Sequence, residues 1–329
     1  MKAAIYTAYG PPEILQIVDV EKPFPKDDEV LIHVRAASVN PLDWHFLRGT
    51  PYFLRLMAGL RRPKSTRLGV DVSGLVEAVG KSVSEFKPGD EVFGGCRGAF
   101  AEYVCAPASA LVLKSHNVSF EQAAAVPVAA LTALQGLRGK GRLQPGQNAL
   151  INGAAGGVGT LAVQIARSLG AQVTGVCSTR NLEMVRSLGA VRVIDYTREN
   201  FTQCSQRYDL IFDLIGNHSL FALRRILNPN GIYVAAGGPT CRWMITFLIR
   251  SLTASLLSLL TSRKMVSVLA KSNKSDLTLA RDLLESQKVV PVIDRRYKLV
   301  ELPGAIRYLE TGHARGKVVI TLDIYGDLS

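Results

Sequence analysis

Ile151-Asn152-Gly153-Ala154-Ala155-Gly156-Gly157-Val158-Gly159 is the stretch that decides how this chain is read. It follows a short apolar run, Asn148–Asn152, and opens an amphipathic helical pattern over Gly157–Leu169. Residues this small let a backbone approach a diphosphate, and the unpaired N–H groups at a helix start meet its charge. Ala154 stands where the usual G-x-G-x-x-G spacing has its first glycine, a mild departure. An ordinary tight turn is the bland alternative, and the strand before it and helix after it argue against that.

Working outward, the same grammar repeats. A helical run, Phe120–Leu137, leads through Pro145-Gly146 into the turn. Beyond it, apolar runs at Gln172–Cys177, Val193–Asp195, Leu210–Leu214 and Ile232–Ala235 alternate with helical patterns such as Asn181–Leu188. Alternation at this spacing predicts a parallel sheet with helices on both faces. The first third reads differently. Ala3–Tyr6, Val30–Ala37, Val72–Val79 and Glu102–Cys105 are β-rich runs bounded by turn residues, and Lys87-Pro88-Gly89-Asp90 turns into Glu91–Phe93. The tail adds a helix Asp276–Ser286, a strand Val289–Ile293, a helix Pro303–Thr311 and a strand Lys317–Leu322. A tail of that kind can return to the first domain. The predicted division is therefore a discontinuous β-rich domain, 1–120 with 274–329, around a dinucleotide-binding domain, 121–273.

Composition narrows the partners. With 47% hydrophobic and 20% charged residues in 329, the chain has the make-up of a folded protein with two cores. The net charge of +12 raises nucleic acid as a ligand, but Lys and Arg are spread along the chain with no basic tail, so no nucleic acid partner is expected. Arg55, Arg61, Arg62, Lys64 and Arg67 form the densest basic cluster, in a loop with Leu54, Leu56, Met57 and Leu60. That loop reads as a solvated surface, as a rim attracting an anionic cofactor, as a contact with an acidic membrane surface, or as a lid over a greasy substrate. The five cysteines are irregularly spaced and make no disulfide framework, and the N-terminus begins at once as a strand, so a cytoplasmic location is expected. Trp243–Leu260 is nearly all apolar, yet Arg250 lies in its middle and Thr246, Arg250 and Thr253 recur at helical spacing. It reads as an amphipathic helix packed on its own protein or a partner subunit, with peripheral membrane contact as the alternative.

The stretch Gly146–Arg167 resembles the signature of the quinone oxidoreductase/zeta-crystallin branch of the medium-chain dehydrogenases. Val39–Asp43, Gly69–Gly74, Phe86–Val92, Ala99–Val104 and Gly316–Ile320 are similar to further segments of that branch, so nearly the whole chain is covered. Within it the chain is similar to the mitochondrial reticulon-interacting and chloroplast-envelope quinone oxidoreductase homologues. The resemblance implies an α/β architecture, a GroES-like β-rich catalytic domain plus a Rossmann domain with a doubly wound parallel sheet, and an active site in the cleft between them. It also implies a zinc-independent enzyme. The positions that bind catalytic zinc in the alcohol dehydrogenases are matched here by Asn40 and Val70, neither a usable ligand, and Glu91–Phe100 holds only Cys96. The five histidines show no i,i+3 or i,i+4 pairing.

Cofactor and mechanism follow as expectations. The second strand of the alternating domain ends in Ser178-Thr179-Arg180 with no carboxylate to bond a ribose 2′-hydroxyl, which favours NADPH. Ala155, Gly156, Gly157, Val158 and Gly159 are expected to hold the diphosphate, and Gly216 is assigned to the same site. By resemblance Tyr196 lies near the adenosine phosphate and Lys317 near the cofactor. Without a Lewis acid, hydride delivery needs an acceptor that is already electrophilic, such as a quinone or an α,β-unsaturated carbonyl. By family position Asn40 is the candidate hydrogen-bond donor, with an Asx turn before Pro41 as its structural alternative. By resemblance Asp43 matches a carboxylate at the cleft, with a structural role as its alternative, and Thr132 matches the residue beside the nicotinamide. Tyr52 completes the candidate catalytic set as a proton source or pocket wall, with packing as its alternative, and Asp71 is read as structural. An enoyl-thioester reductase and a non-catalytic NADPH-binding scaffold remain as rival functions, and a homodimer is compatible with all three.

Overall fold

A computed structural model describes residues 1–237 and 263–322. The amphipathic stretch 243–260 lies outside the described residues. The chain divides into two units, the first made of 1–128, 272–287 and 293–329 and the second of 129–271 and 288–292.

In the first unit β1 (Lys2–Ile5) and β2 (Gln16–Asp19) form an antiparallel pair. The main sheet is built from β3 (Glu29–Val39), β4 (Asp71–Val79), β5 (Glu91–Gly95), β6 (Tyr103–Pro107) and β7 (Leu111–Leu113). β3 is its hub, antiparallel to β4 and β6. Its alternating Val30, Ile32 and Val34 are buried with Val72, Val92 and Val104, the inward face of a GroES-like sheet.

The second unit carries β8 (Asn148–Asn152), β9 (Gln172–Cys177), β10 (Arg192–Asp195), β11 (Tyr208–Asp213), β12 (Leu227–Ala235) and β13 (Lys264–Ser267). Their order is β10-β9-β8-β11-β12-β13 and every pairing is parallel. This is the doubly wound order in which the direction of winding reverses between β8 and β11. Leu150, Val176, Ile194 and Ile211 are fully buried at its centre, as apolar runs covered on both faces require.

Two tail strands rejoin the first unit: β14 (Ile293–Lys298) is parallel to β15 (Lys317–Thr321), and β15 runs antiparallel to the end of β3. Here the sequence reading is corrected. Val289–Ile293 is not a strand, because Pro291 has no N–H to give a ladder and the backbone of Val290 is taken by Gln164. The strand starts at Ile293 instead. The helical run Phe120–Leu137 is also divided, into Phe120–Ala124, Pro127–Leu134 and a wide turn Gln135–Lys140. Pro127 cannot continue the helix before it but is suited to begin the next. The first piece starts at Ser119, whose side chain accepts from the Gln122 N–H while Gln122 reaches back to the Ser119 N–H.

The loop of the basic cluster is anchored rather than merely solvated at Arg55. Its guanidinium donates to the carbonyls of Gly49 and Arg48, at 2.9 and 3.3 Å, and lies over the rings of Tyr9 and Tyr52. Leu56, Met57 and Leu60 are exposed. Among the described residues no helix is long and apolar enough to cross a membrane.

Candidate cofactor and active site

In the second unit the turn after β8 is shaped by what its glycines exclude. Gly153 has φ +88°, where a side chain is strained, and a Cβ there would lie 2.9 Å from Ile215. The helix Gly157–Ser168 starts at Gly156 without a side-chain cap, so its first amides have no partner within the helix. A Cβ on Gly159 would sit 2.1 Å from the Gly153 carbonyl oxygen. The turn is thus folded onto the helix start as tightly as backbone allows, with Ala154 and Ala155 buried beneath it. This cradle of bare amides fits a dinucleotide diphosphate.

Ser178, Thr179 and Arg180 follow β9 as expected, with Arg180 exposed. Sequence reasoning missed Asp195, the last residue of β10. Its carboxylate accepts from the Thr179 hydroxyl at 2.5 Å and from the Thr197 hydroxyl and N–H, with Arg198 3.6 Å away. The Thr179 bond, chiefly, holds its pKa below the usual value. A carboxylate therefore does stand beside this strand end, on β10 rather than β9, with its oxygens already engaged. The next residue, Tyr196, is 55% exposed.

A second residue missed was Asp213, at the end of β11. Its Oδ1 accepts from the Asn152 side chain at 2.8 Å and from the N–H groups of Ile215 and Gly216, and its Oδ2 accepts from the Tyr233 hydroxyl. One buried carboxylate thereby fixes the loop carrying Gly216 to the end of β8. The signal was present in Leu210-Ile211-Phe212-Asp213, a charge closing an apolar strand. Thr132, on the helix Pro127–Leu134, is buried.

In the first unit Asn40, Asp43, Asp71 and Lys317 are all nearly sealed from solvent. Lys317 donates to Asn40 Oδ1 at 2.7 Å and lies 3.3 Å from Asp71 Oδ2. Asn40 Nδ2 donates to the same Asp71 oxygen at 2.9 Å and to the Ser38 carbonyl at 3.2 Å. Asp71 also accepts from the Ser38 hydroxyl and the Val128 N–H. Asn40 is also the N-cap of the helix Pro41–Arg48, the structural role that was its alternative. Lys317, expected near a cofactor, is grouped with Asn40 and Asp71, and Asp71 ties the group together as a structural carboxylate can. Tyr52 is 73% exposed beside Arg55, away from this buried group.

Asp43 is the third residue of the helix Pro41–Arg48, and its two oxygens accept from the N–H groups of Asn40 and Gly69. Burial raises its pKa to about 7; those two donors and Lys317 oppose the rise, and Asp71 adds to it. The folded chain thus holds a proton that the unfolded chain releases near pH 4. Stability from this group is full below about pH 4 and is lost as pH rises through about 7. Asp43→Asn should remove that part of the pH dependence. At pH 8 it should also cost about 1–3 kcal/mol, because an amide offers one acceptor to two N–H donors. Urea unfolding at pH 5 and pH 8 measures both effects, and an unchanged difference between the two pH values would rule out Asp43 as its source.

Among the described residues no group of three His, Cys, Asp or Glu side chains is placed to hold a metal ion. The family model for the alcohol dehydrogenase GroES-like domain matches residues 26–116, and that described as zinc-binding dehydrogenase matches 188–320. The chain is 34% identical to a 2-methylene-furan-3-one reductase of Solanum lycopersicum, over 97% of this chain and 79% of that protein. It is equally similar, at 34% with the same coverage, to a chloroplastic NADPH-dependent alkenal/one oxidoreductase of Arabidopsis thaliana. Among solved structures, the quinone oxidoreductase of Coxiella burnetii is 32% identical with a TM-score of 0.86, covering 98% of this chain and 99% of that one.

Proposed function

We propose, on the premise that this chain belongs to the quinone oxidoreductase branch of the medium-chain dehydrogenase/reductase family, that it reduces hydrophobic enones, enals or quinones with NADPH and without zinc. The supporting observation is the Asn40 amide, polarised from both sides by a buried ammonium and a buried carboxylate.

When bound, NADPH supplies the hydride. The residues to hold it are Ala155 to Gly159, through the free amides of Gly157, Val158 and Gly159 at the helix start, with Ser178, Thr179, Arg180 and Tyr196 toward the adenosine end and Gly216 on the loop that Asp213 fixes. Arg180 provides the positive charge a 2′-phosphate calls for, and Thr179 keeps Asp195 occupied. An enone or quinone gathers negative charge on its oxygen as it is reduced, so the protein's task is to donate a hydrogen bond there. Asn40 carries that role. Lys317 draws electron density through Oδ1, which makes the Nδ2 protons stronger donors. The longer bond to the Ser38 carbonyl, at 3.2 Å, is the one exchanged for the substrate oxygen. Lys317 and Asp71 are positioning residues in this scheme, and Asp43 braces the helix that begins beside Asn40. Thr132 belongs beside the nicotinamide by family position. A small hydrophobic carbonyl or quinone is the only partner required. Neither a second copy nor a membrane surface is needed, and a cytoplasmic location goes with the reading.

The test is turnover by the purified chain on a panel holding a 2-alkenal, a cyclic enone, a quinone and a crotonyl thioester. We expect kcat/KM with NADPH to exceed that with NADH about tenfold or more, a difference of about 1.4 kcal/mol. Activity should be unchanged by chelator, with the free enone or quinone preferred to the thioester. Equal Michaelis constants for the two nucleotides would remove the NADPH assignment. Activity lost to chelator and restored by zinc would remove the mechanism.

A further inference from the structure

Within the second unit a cavity of about 610 Å³ is lined by Arg207, Arg224, Arg225 and Arg263 together with Ser219, Phe221 and Ala222. Among the described residues four arginines and no Asp or Glu line it. Two of the arginines are fastened from behind: Arg207 donates to the Arg225 carbonyl at 2.8 Å and Arg263 to the Leu227 carbonyl at 3.1 Å. The Nε of Arg224 is sealed from solvent and meets no acceptor among the described residues.

Gathering like charges is unfavourable, and leaving a buried cationic N–H unpaired adds to the cost. An anion with several acceptor oxygens would relieve both at once. The planar fork of arginine matches phosphoryl oxygens two at a time. At the rim the Phe221 ring is 61% exposed, an apolar face next to the charged interior.

Two of its arginines lie at the opposite edge of the sheet from the cofactor turn. Arg207 immediately precedes β11 and Arg263 immediately precedes β13, whereas the turn follows the far end of β8. These strands lie in one parallel sheet, so their starts share one edge and the turn lies at the other, about 15–20 Å away along strands of five or six residues.

We infer that this arginine-lined cavity is a binding site for a phosphoryl group, carried by a small organic phosphate or by a lipid headgroup. Inorganic pyrophosphate serves as probe, titrated calorimetrically into protein already saturated with NADPH so that the cofactor turn is occupied. We expect saturable heat that weakens with added salt, and a rise in Tm of about 2–4 °C at tenfold excess over Kd. The double substitution Arg224→Ala, Arg225→Ala should weaken binding at least tenfold while leaving enone or quinone turnover unchanged. Should that variant fold poorly, Arg225→Ala alone repeats the test at an exposed position. Co-sedimentation with phosphatidic acid vesicles but not phosphatidylcholine, reversed by pyrophosphate, identifies the headgroup as the source. Pyrophosphate binding without co-sedimentation identifies a soluble phosphate. No heat in the wild type, equal heat in the folded variants, or heat only when NADPH is omitted would overturn the site. Turnover is read separately, so the reductase reading stands or falls on its own assay.

Discussion

Gly159→Ala is expected to lower NADPH affinity at least about 100-fold, roughly 2.7 kcal/mol of binding. The added Cβ would lie 2.1 Å from the Gly153 carbonyl oxygen and 2.8 Å from Ala154 Cα, and both neighbours are backbone. No side chain can swing aside, so the turn must lift from the helix start and carry the diphosphate-binding amides with it. Overpacking of this kind also costs about 1–3 kcal/mol of stability. Gly156→Ala is the matched control. Its Cβ would come no nearer than 3.6 Å to the Gly153 oxygen, and its backbone φ of −81° suits alanine. The control should keep the wild-type Tm. Calorimetric NADPH titration with thermal unfolding of both variants checks the pair. Wild-type affinity in a folded Gly159→Ala protein would show that the cofactor is held elsewhere.

The second large effect is expected at Lys317. Lys317→Met removes the buried ammonium and leaves the Asp71 carboxylate beside Asp43 with no cation in contact. Breaking a buried pair from one side costs about 3–5 kcal/mol. Turnover should fall as well, because Asn40 loses the donor that orients its carbonyl oxygen. Lys317 also holds the Asp43 pKa down, so the variant should move the pH dependence of stability upward. Adding Asp71→Asn removes the stranded charge and should recover a substantial part of the lost stability. Strictly additive costs in that double-mutant cycle would mean the two side chains do not act as one group.

Much of this was legible because the sequence states it twice. The β–α alternation and the glycine turn point to one domain, while turn residues between β-branched runs point to the other. What escaped was set by tertiary context. Pro127 divides a helical pattern whose apolar periodicity continues unbroken, and the Gln164 side chain, 126 residues away, decides that Val290 joins no sheet. Asp195 and Asp213 escaped because a carboxylate at a strand end looks the same whether it faces a ligand or ties down a loop. Asn40 was singled out by its resemblance to a family position, but its engagement with Lys317 depends on two strands distant in sequence coming together.

That distance has a consequence for synthesis. β15 completes the sheet at the end of β3, and Lys317 follows Asn40 by 277 residues. During translation Asp43 and Asp71 are made early, and the ammonium that pairs with Asp71 emerges only after the whole parallel sheet. Until β15 is made, the polar group at the end of β3 lacks its ammonium. On the proposed reading, a nascent chain that lacks Lys317 also lacks the ammonium that polarises Asn40.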